Sequence, residues 1–153
     1  MDDLYQMPGH LIRRAQQIAT ALFTDECAAF DLTSVQYAAL CAIRANPQVD
    51  ATRLSSLIAF DRSTIGDVLE RMEAKGWIAR TASSQDRRIK LVRLSPAGLK
   101  LLHQVGPAVR RVQERLLAPL APQDRGTIIR LLGELAELHN DATPAPLRTA
   151  SQR

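Results

Sequence analysis

From Pro8 to about Phe30, Leu11, Ile12, Ala15, Ile18, Ala19, Leu22 and Phe23 recur at helical spacing, which predicts an amphipathic first helix with Pro8 in its first turn. Asp31-Leu32 breaks that pattern. Thr33-Ser34-Val35-Gln36 has the form of a capping box, so a second helix begins there and runs to about Arg44, where Asn46-Pro47 ends it. Asp50 is positioned to cap a short third helix containing Leu54, Leu57 and Ile58, and Phe60-Asp61-Arg62 forms the next turn. Ile65, Val68, Leu69 and Met72 then stand at i, i+3, i+4 and i+7, the buried stripe of a fourth helix that stops at Lys75-Gly76.

Past Gly76 the helical period disappears. Trp77–Arg80 and Ile89–Leu94 read as two strands around the polar, turn-rich Ser83–Arg87, a hairpin. Ser95-Pro96, a cap followed by proline at the first helical position, opens a long fifth helix that Gly106-Pro107 should kink. Pro122 opens a sixth, with Ile128, Ile129, Leu132, Leu135 and Leu138 on one side. The stretch 143–153 lacks periodicity and is expected to be a disordered tail.

The chain is therefore expected to be mainly α with a small β-hairpin. Its apolar-striped ends, 1–32 and 96–142, lack a partner in so small a chain and predict a helical dimerisation region around a lobe at 33–95. At 153 residues, one domain is the expectation. No apolar run approaches the roughly 20 residues of a membrane span, and Met1-Asp2-Asp3-Leu4 is acidic where a secretory signal is basic, so a cytoplasmic protein is expected.

Charge sharpens this picture. The net charge is +4, yet Lys75–Arg93 alone holds six basic residues against one acid, Asp86, while the remainder has 14 basic and 15 acidic residues. A local excess on an otherwise neutral chain points to a polyanion partner, although a solvated face has the same composition. Two short helices joined by a tight turn, with a basic hairpin directly after, define a winged helix-turn-helix. On the fourth helix, Arg62, Ser63, Thr64, Gly66, Asp67 and Arg71 lie opposite the apolar stripe and would face a major groove of double-stranded DNA. At the hairpin tip, Arg87, Arg88 and Lys90 are placed to enter a minor groove or hold phosphates, and Asp86 to orient a neighbouring guanidinium.

The sequence resembles the MarR (multiple antibiotic resistance regulator) family over roughly residues 8–140. The likeness rests on Leu32-Thr33, Gln36 and Leu40; on Ser63-Thr64-Ile65 and Leu69–Ile78; and above all on Asp86-Arg87-Arg88 followed by Leu94-Ser95-Pro96-Ala97-Gly98. The resemblance implies a homodimer with interleaved first and last helices, recognition helices in successive major grooves of a pseudo-palindromic operator, and Arg88 as the minor-groove arginine with Asp86 as its partner. It also implies a repressor released by a small ligand.

His10 and Arg14, at i and i+4 on the first helix, form the best anion clamp in the sequence, with Tyr37 as an aromatic wall. Because Met7–Arg14 looks like the start of the branch that controls degradation of aromatic acids, the expected effector is an aromatic or N-heteroaromatic carboxylate. Intersubunit salt bridges or plain solvent exposure account for His10 and Arg14 equally well. Two alternatives remain beside this reading: a redox sensor using Cys27 or Cys41, and a winged-helix protein-interaction module that never touches DNA. The histidines have no metal-ligand spacing and no catalytic signature is present, so neither a metal, a cofactor nor an enzymatic activity is expected.

Overall fold

A computed structural model describes residues 3–149. The helices are α1 (Pro8–Glu26), α2 (Ser34–Ala45), α3 (Ala51–Leu57), α4 (Arg62–Ala74), α5 (Pro96–Leu117) and α6 (Pro122–Leu138). Strands β1 (Val49–Asp50), β2 (Ile78–Ala82) and β3 (Lys90–Leu94) form an antiparallel sheet in the order β1-β3-β2. Among the described residues no helix is long and apolar enough to cross a membrane.

The starts of α2–α5 are set by side chains that satisfy the free amides of the first turn, whereas α1 and α6 open on Pro8 and Pro122. Thr33 Oγ1 accepts from the Gln36 amide at 3.1 Å while Gln36 Oε1 accepts from the Thr33 amide at 3.0 Å, a complete capping box for α2. Asp50 accepts from the Arg53 amide at 2.8 Å, and Ser95 Oγ from the Gly98 amide at 3.0 Å. α4 is capped by Asp61, a residue of the expected Phe60–Arg62 turn, which accepts from the Ser63 amide at 2.9 Å. The bond from Ser63 holds the Asp61 carboxyl below its ordinary pKa.

The elements differ from expectation in three places. α1 stops at Glu26 and a separate 3-10 turn covers Ala28–Phe30 before Asp31 adopts a left-handed conformation (φ 48°). β1 has only two residues, too short for a periodic signal, and exists because β3 offers it an edge through the pairs Val49–Val92 and Asp50–Leu91. As expected, by contrast, α5 is one long helix from Pro96 to Leu117 with Pro107 inside it, and Val105, Ala108 and Val112 around that proline are buried. Finally, residues 143–149 fold back on the lobe: the Arg148 amide donates to Ser56 O at 2.8 Å, and Asn140 bonds both the amide and the carbonyl of Leu147. Residues 150–153 of the expected tail lie outside the described residues.

The core is a single cluster in which Leu40, Ile43, Leu54, Leu69, Met72, Val92 and Val105 are almost fully buried, so α2–α5 and the sheet share one interior. α5 also lies along α1. Asp25 and Glu26 sit at the C-terminal end of α1, where carboxylates oppose the helix dipole. Arg111 and Arg115 of α5 compensate: Arg111 Nε is 2.8 Å from Glu26 and Arg115 Nη1 bridges Asp25 and Glu26. Those guanidiniums hold the Glu26 carboxyl below its usual range.

Candidate nucleic-acid interface and effector site

On α4, Ile65, Leu69 and Met72 are buried, whereas Arg62, Ser63, Thr64, Gly66, Asp67 and Arg71 are all exposed. The predicted polar face is thus free along its length. Gly66 has nothing within 4 Å of where a Cβ would sit, which leaves the helix backbone open to close approach.

The wing is built by pairing Ile78 with Leu94 through Ala82 with Lys90, and its tip is closed by Ser83 N to Ile89 O at 2.8 Å and Ile89 N to Asp86 O at 3.0 Å. This puts Asp86, Arg87 and Arg88 in the connecting loop and Lys90 at the first position of β3. Arg88 and Asp86 form a two-point pair, Nε to Oδ1 at 3.1 Å and Nη2 to Oδ2 at 3.0 Å, while the Arg88 amide also donates to Oδ1 at 3.0 Å. These bonds keep the Asp86 carboxyl below its usual pKa, hence ionised. The Arg88 side chain remains 91% exposed. A guanidinium held at one edge and open elsewhere loses less rotamer freedom on docking than a free one. Between wing and α4 lies a groove of about 550 Å³ whose walls include Thr52, Gly66, Arg88 and Lys90.

The tertiary structure also thins the basic cluster. Arg80 gives both Nε and Nη2 to Glu73, at 2.9 and 2.6 Å, fastening β2 to the end of α4. Lys75 pairs with Asp31 at 2.8 Å and lies over the Trp77 ring. Two of the six basic residues are therefore structural. Their acids lie in other elements or loops, so charge counting in one stretch misses them.

The residues expected to bind an anion are distributed differently from their sequence grouping. The His10 ring stands edge-on to Tyr5 (centroids 5.7 Å apart), and Nδ1 is 3.4 Å from Arg13, not from Arg14. His10 Nε2 is buried without a partner among the described residues. Arg14 is exposed on α1, and Tyr37 packs on Phe23 with centroids 6.2 Å apart. Burial, with the Cys41 thiol beside it, holds the Tyr37 phenol above its ordinary pKa, so it is a neutral donor. None of the three lines the cleft of about 760 Å³ bounded by Phe23, Thr24, Leu32, Ser34 and Arg71. Cys27 is 1% exposed, and burial pushes its thiol up, away from the thiolate that redox chemistry needs.

A capped helix-turn-helix with an exposed polar face on its second helix, followed by a wing with an oriented arginine, defines a winged-helix transcription regulator. Comparison with known proteins agrees. The model of the MarR family matches residues 32–90. The chain is 31% identical over 140 residues to the transcriptional repressor NicR of Pseudomonas putida, covering 92% of this chain and 89% of that one. Among solved structures, PcaV of Streptomyces coelicolor with its natural ligand superposes with a TM-score of 0.79 at 34% identity, covering 88% and 94% of the two chains. BpsR of Bordetella bronchiseptica, whose DNA binding is regulated by 6-hydroxynicotinic acid, gives 0.79 at 31%, covering 85% and 93%. The protein belongs to the MarR family of transcription regulators and is not an enzyme.

Proposed function

We propose that the protein is a homodimeric repressor that binds a pseudo-palindromic operator and is released by a small aromatic or N-heteroaromatic carboxylate. The observation that carries the DNA-binding part is the Asp86–Arg88 pair, which presents a fixed, exposed guanidinium at the wing tip. In this reading 33–95 is the DNA-binding lobe. The exposed face of α4 reads base edges, Arg88 enters the flanking minor groove, and Arg87 and Lys90 neutralise phosphates. Residues 1–32 and 96–142 supply the dimer interface: Leu11, Ile12 and Ile18 of α1 are exposed, and α6 buries none of its residues within the chain.

Binding to the DNA flanking its own gene, followed by fluorescence anisotropy, tests the first part. Wild-type affinity should fall steeply with salt as counterions are released. Arg88→Ala should weaken binding about tenfold or more and lower the log–log salt slope by roughly 2, one contact for each protomer. Equal affinity of the two proteins at every salt concentration would remove Arg88 from the interface. If the wild type binds no DNA at all, the protein-interaction module takes its place.

For the effector, the support is Arg14, exposed and without a hydrogen bond or ion pair among the described residues, together with the unsatisfied His10 Nε2 and the neutral Tyr37 phenol. The relatives add that NicR is a repressor and that BpsR responds to 6-hydroxynicotinic acid. Titration of wild type and Arg14→Ala with a panel of benzoates and hydroxynicotinates should show one acid that lowers DNA affinity about 5–150-fold, the usual span of allosteric coupling. The Arg14 variant should need at least about tenfold more of it, since a charge-assisted bond to a carboxylate is worth roughly 1.5–3 kcal/mol. Equal responses exclude Arg14.

A further inference from the structure

The region beyond α6 carries more structure than its composition predicts. Asn140 acts like a short strand partner for the chain that follows it: Nδ2 donates to Leu147 O at 2.9 Å and Oδ1 accepts from the Leu147 amide at 2.8 Å. Arg148 ion-pairs with Asp141 at 2.7 Å. The next peptide is bracketed by α3, since the Arg148 amide donates to Ser56 O at 2.8 Å and Arg53 Nη1 donates to Arg148 O at 2.8 Å. A cavity of about 680 Å³ separates this segment from the turn into α4, with Ala59 and Asp61 on one side and Pro144, Ala145 and Leu147 on another. Ala59 holds a left-handed conformation (φ 50°), and Asp61 caps the recognition helix. Residues Ala145 to Arg148 are half-buried although α6 itself buries none of its residues.

We propose that Asn140–Arg148 is a strap that ties the C-terminal end of α6 to α3 and so positions the helix-turn-helix for a fixed half-site spacing, with Asn140, Arg148 and Arg53 as positioning residues. α6 belongs to the dimer interface and α3 to the reading head, so the strap links the element that sets the distance between lobes to the element that must reach DNA. Without it the lobe retains more freedom and loses that freedom on docking, which lowers affinity and relaxes the geometry the protein accepts. The proposal rests on the DNA-binding reading for its consequence, but not for the restraint itself.

Two full-length variants test it. Asn140→Ala removes the two side-chain bonds to Leu147, and Arg148→Pro removes the amide that reaches Ser56. Hydrogen exchange of the 51–61 segment, where the Ile58 amide bonds Leu54 O and the Phe60 amide bonds Ser55 O, should quicken in both variants while the Leu69–Met72 core keeps its protection. Operator affinity should fall about three- to tenfold, and the penalty for one base pair inserted between half-sites should shrink. A purely structural tail would not alter that spacing penalty. Unchanged exchange at 51–61 in both variants overturns the strap, and faster exchange with an unaltered spacing penalty overturns its positioning role. If exchange quickens but the wild type binds no operator, the restraint stands and the repressor reading fails.

Discussion

Gly98→Ala is expected to destabilise the fold by about 3 kcal/mol, a typical cost of overpacking a tight contact, and to lower Tm by roughly 6–12 °C for a chain of this size. A Cβ at position 98 would overlap the Trp77 carbonyl oxygen and crowd its carbon at 3.1 Å. Backbone cannot rotate away as a side chain can. The same carbonyl accepts the Ser95 amide at 3.0 Å, while Ser95 Oγ donates to Gly76 O at 2.6 Å. The start of α5 is thus pressed onto the base of the wing. Alanine favours a helix over glycine by about 1 kcal/mol, so the measured loss is the steric cost after that gain. Gly66→Ala serves as the control: with nothing within 4 Å of its Cβ, it should stabilise α4. Thermal melts that rank both variants together would show that the contact at Trp77 is not the cause.

Leu132→Glu with Leu135→Glu is expected to give a monomer whose operator affinity is at least about 100-fold lower, because the second half-site then binds as an independent molecule. Both leucines are exposed within the chain, at 49% and 42%, and stand on the same side of α6 as Ile128. Two carboxylates desolvated without partners at that position cost more than a helix–helix interface gains from the remaining apolar contacts. The change leaves the chain's own interior untouched, since the core contains no residue of α6. Light scattering gives the mass and circular dichroism the fold. A double variant that stays dimeric would move the interface elsewhere.

Much of the fold was legible because its signals are local. The Thr33/Gln36 box, the Asp50 and Ser95 caps and the Ile65–Met72 stripe each lie within a few residues, and each forms as the sequence predicts. The wing hairpin was readable for the same reason, as a change of period followed by a turn. Asp86 and Arg88 are two residues apart, so their pairing follows from local geometry as well. The surroundings of the residues proposed for the effector were less legible. His10 meets Arg13 at i, i+3 on α1, but it also faces Tyr5, which the short turn before α1 brings over it and which helical spacing on α1 does not encode.

The amino-acid sequence by itself determined the order of the six helices and the hairpin, the exposed polar face of α4 and the Asp86–Arg88 pair of the wing, since caps, periodicity and near-neighbour charge pairs act over one or two turns of chain. Only the tertiary structure decided which charges remain for a partner. Arg80 is consumed by Glu73, Lys75 by Asp31, and Arg111 and Arg115 by the acids ending α1. It likewise decided that two residues at Val49–Asp50 become a strand and that Arg148 meets Ser56. Such contacts join residues far apart in sequence, and their geometry exists only once the shared core has brought the elements together.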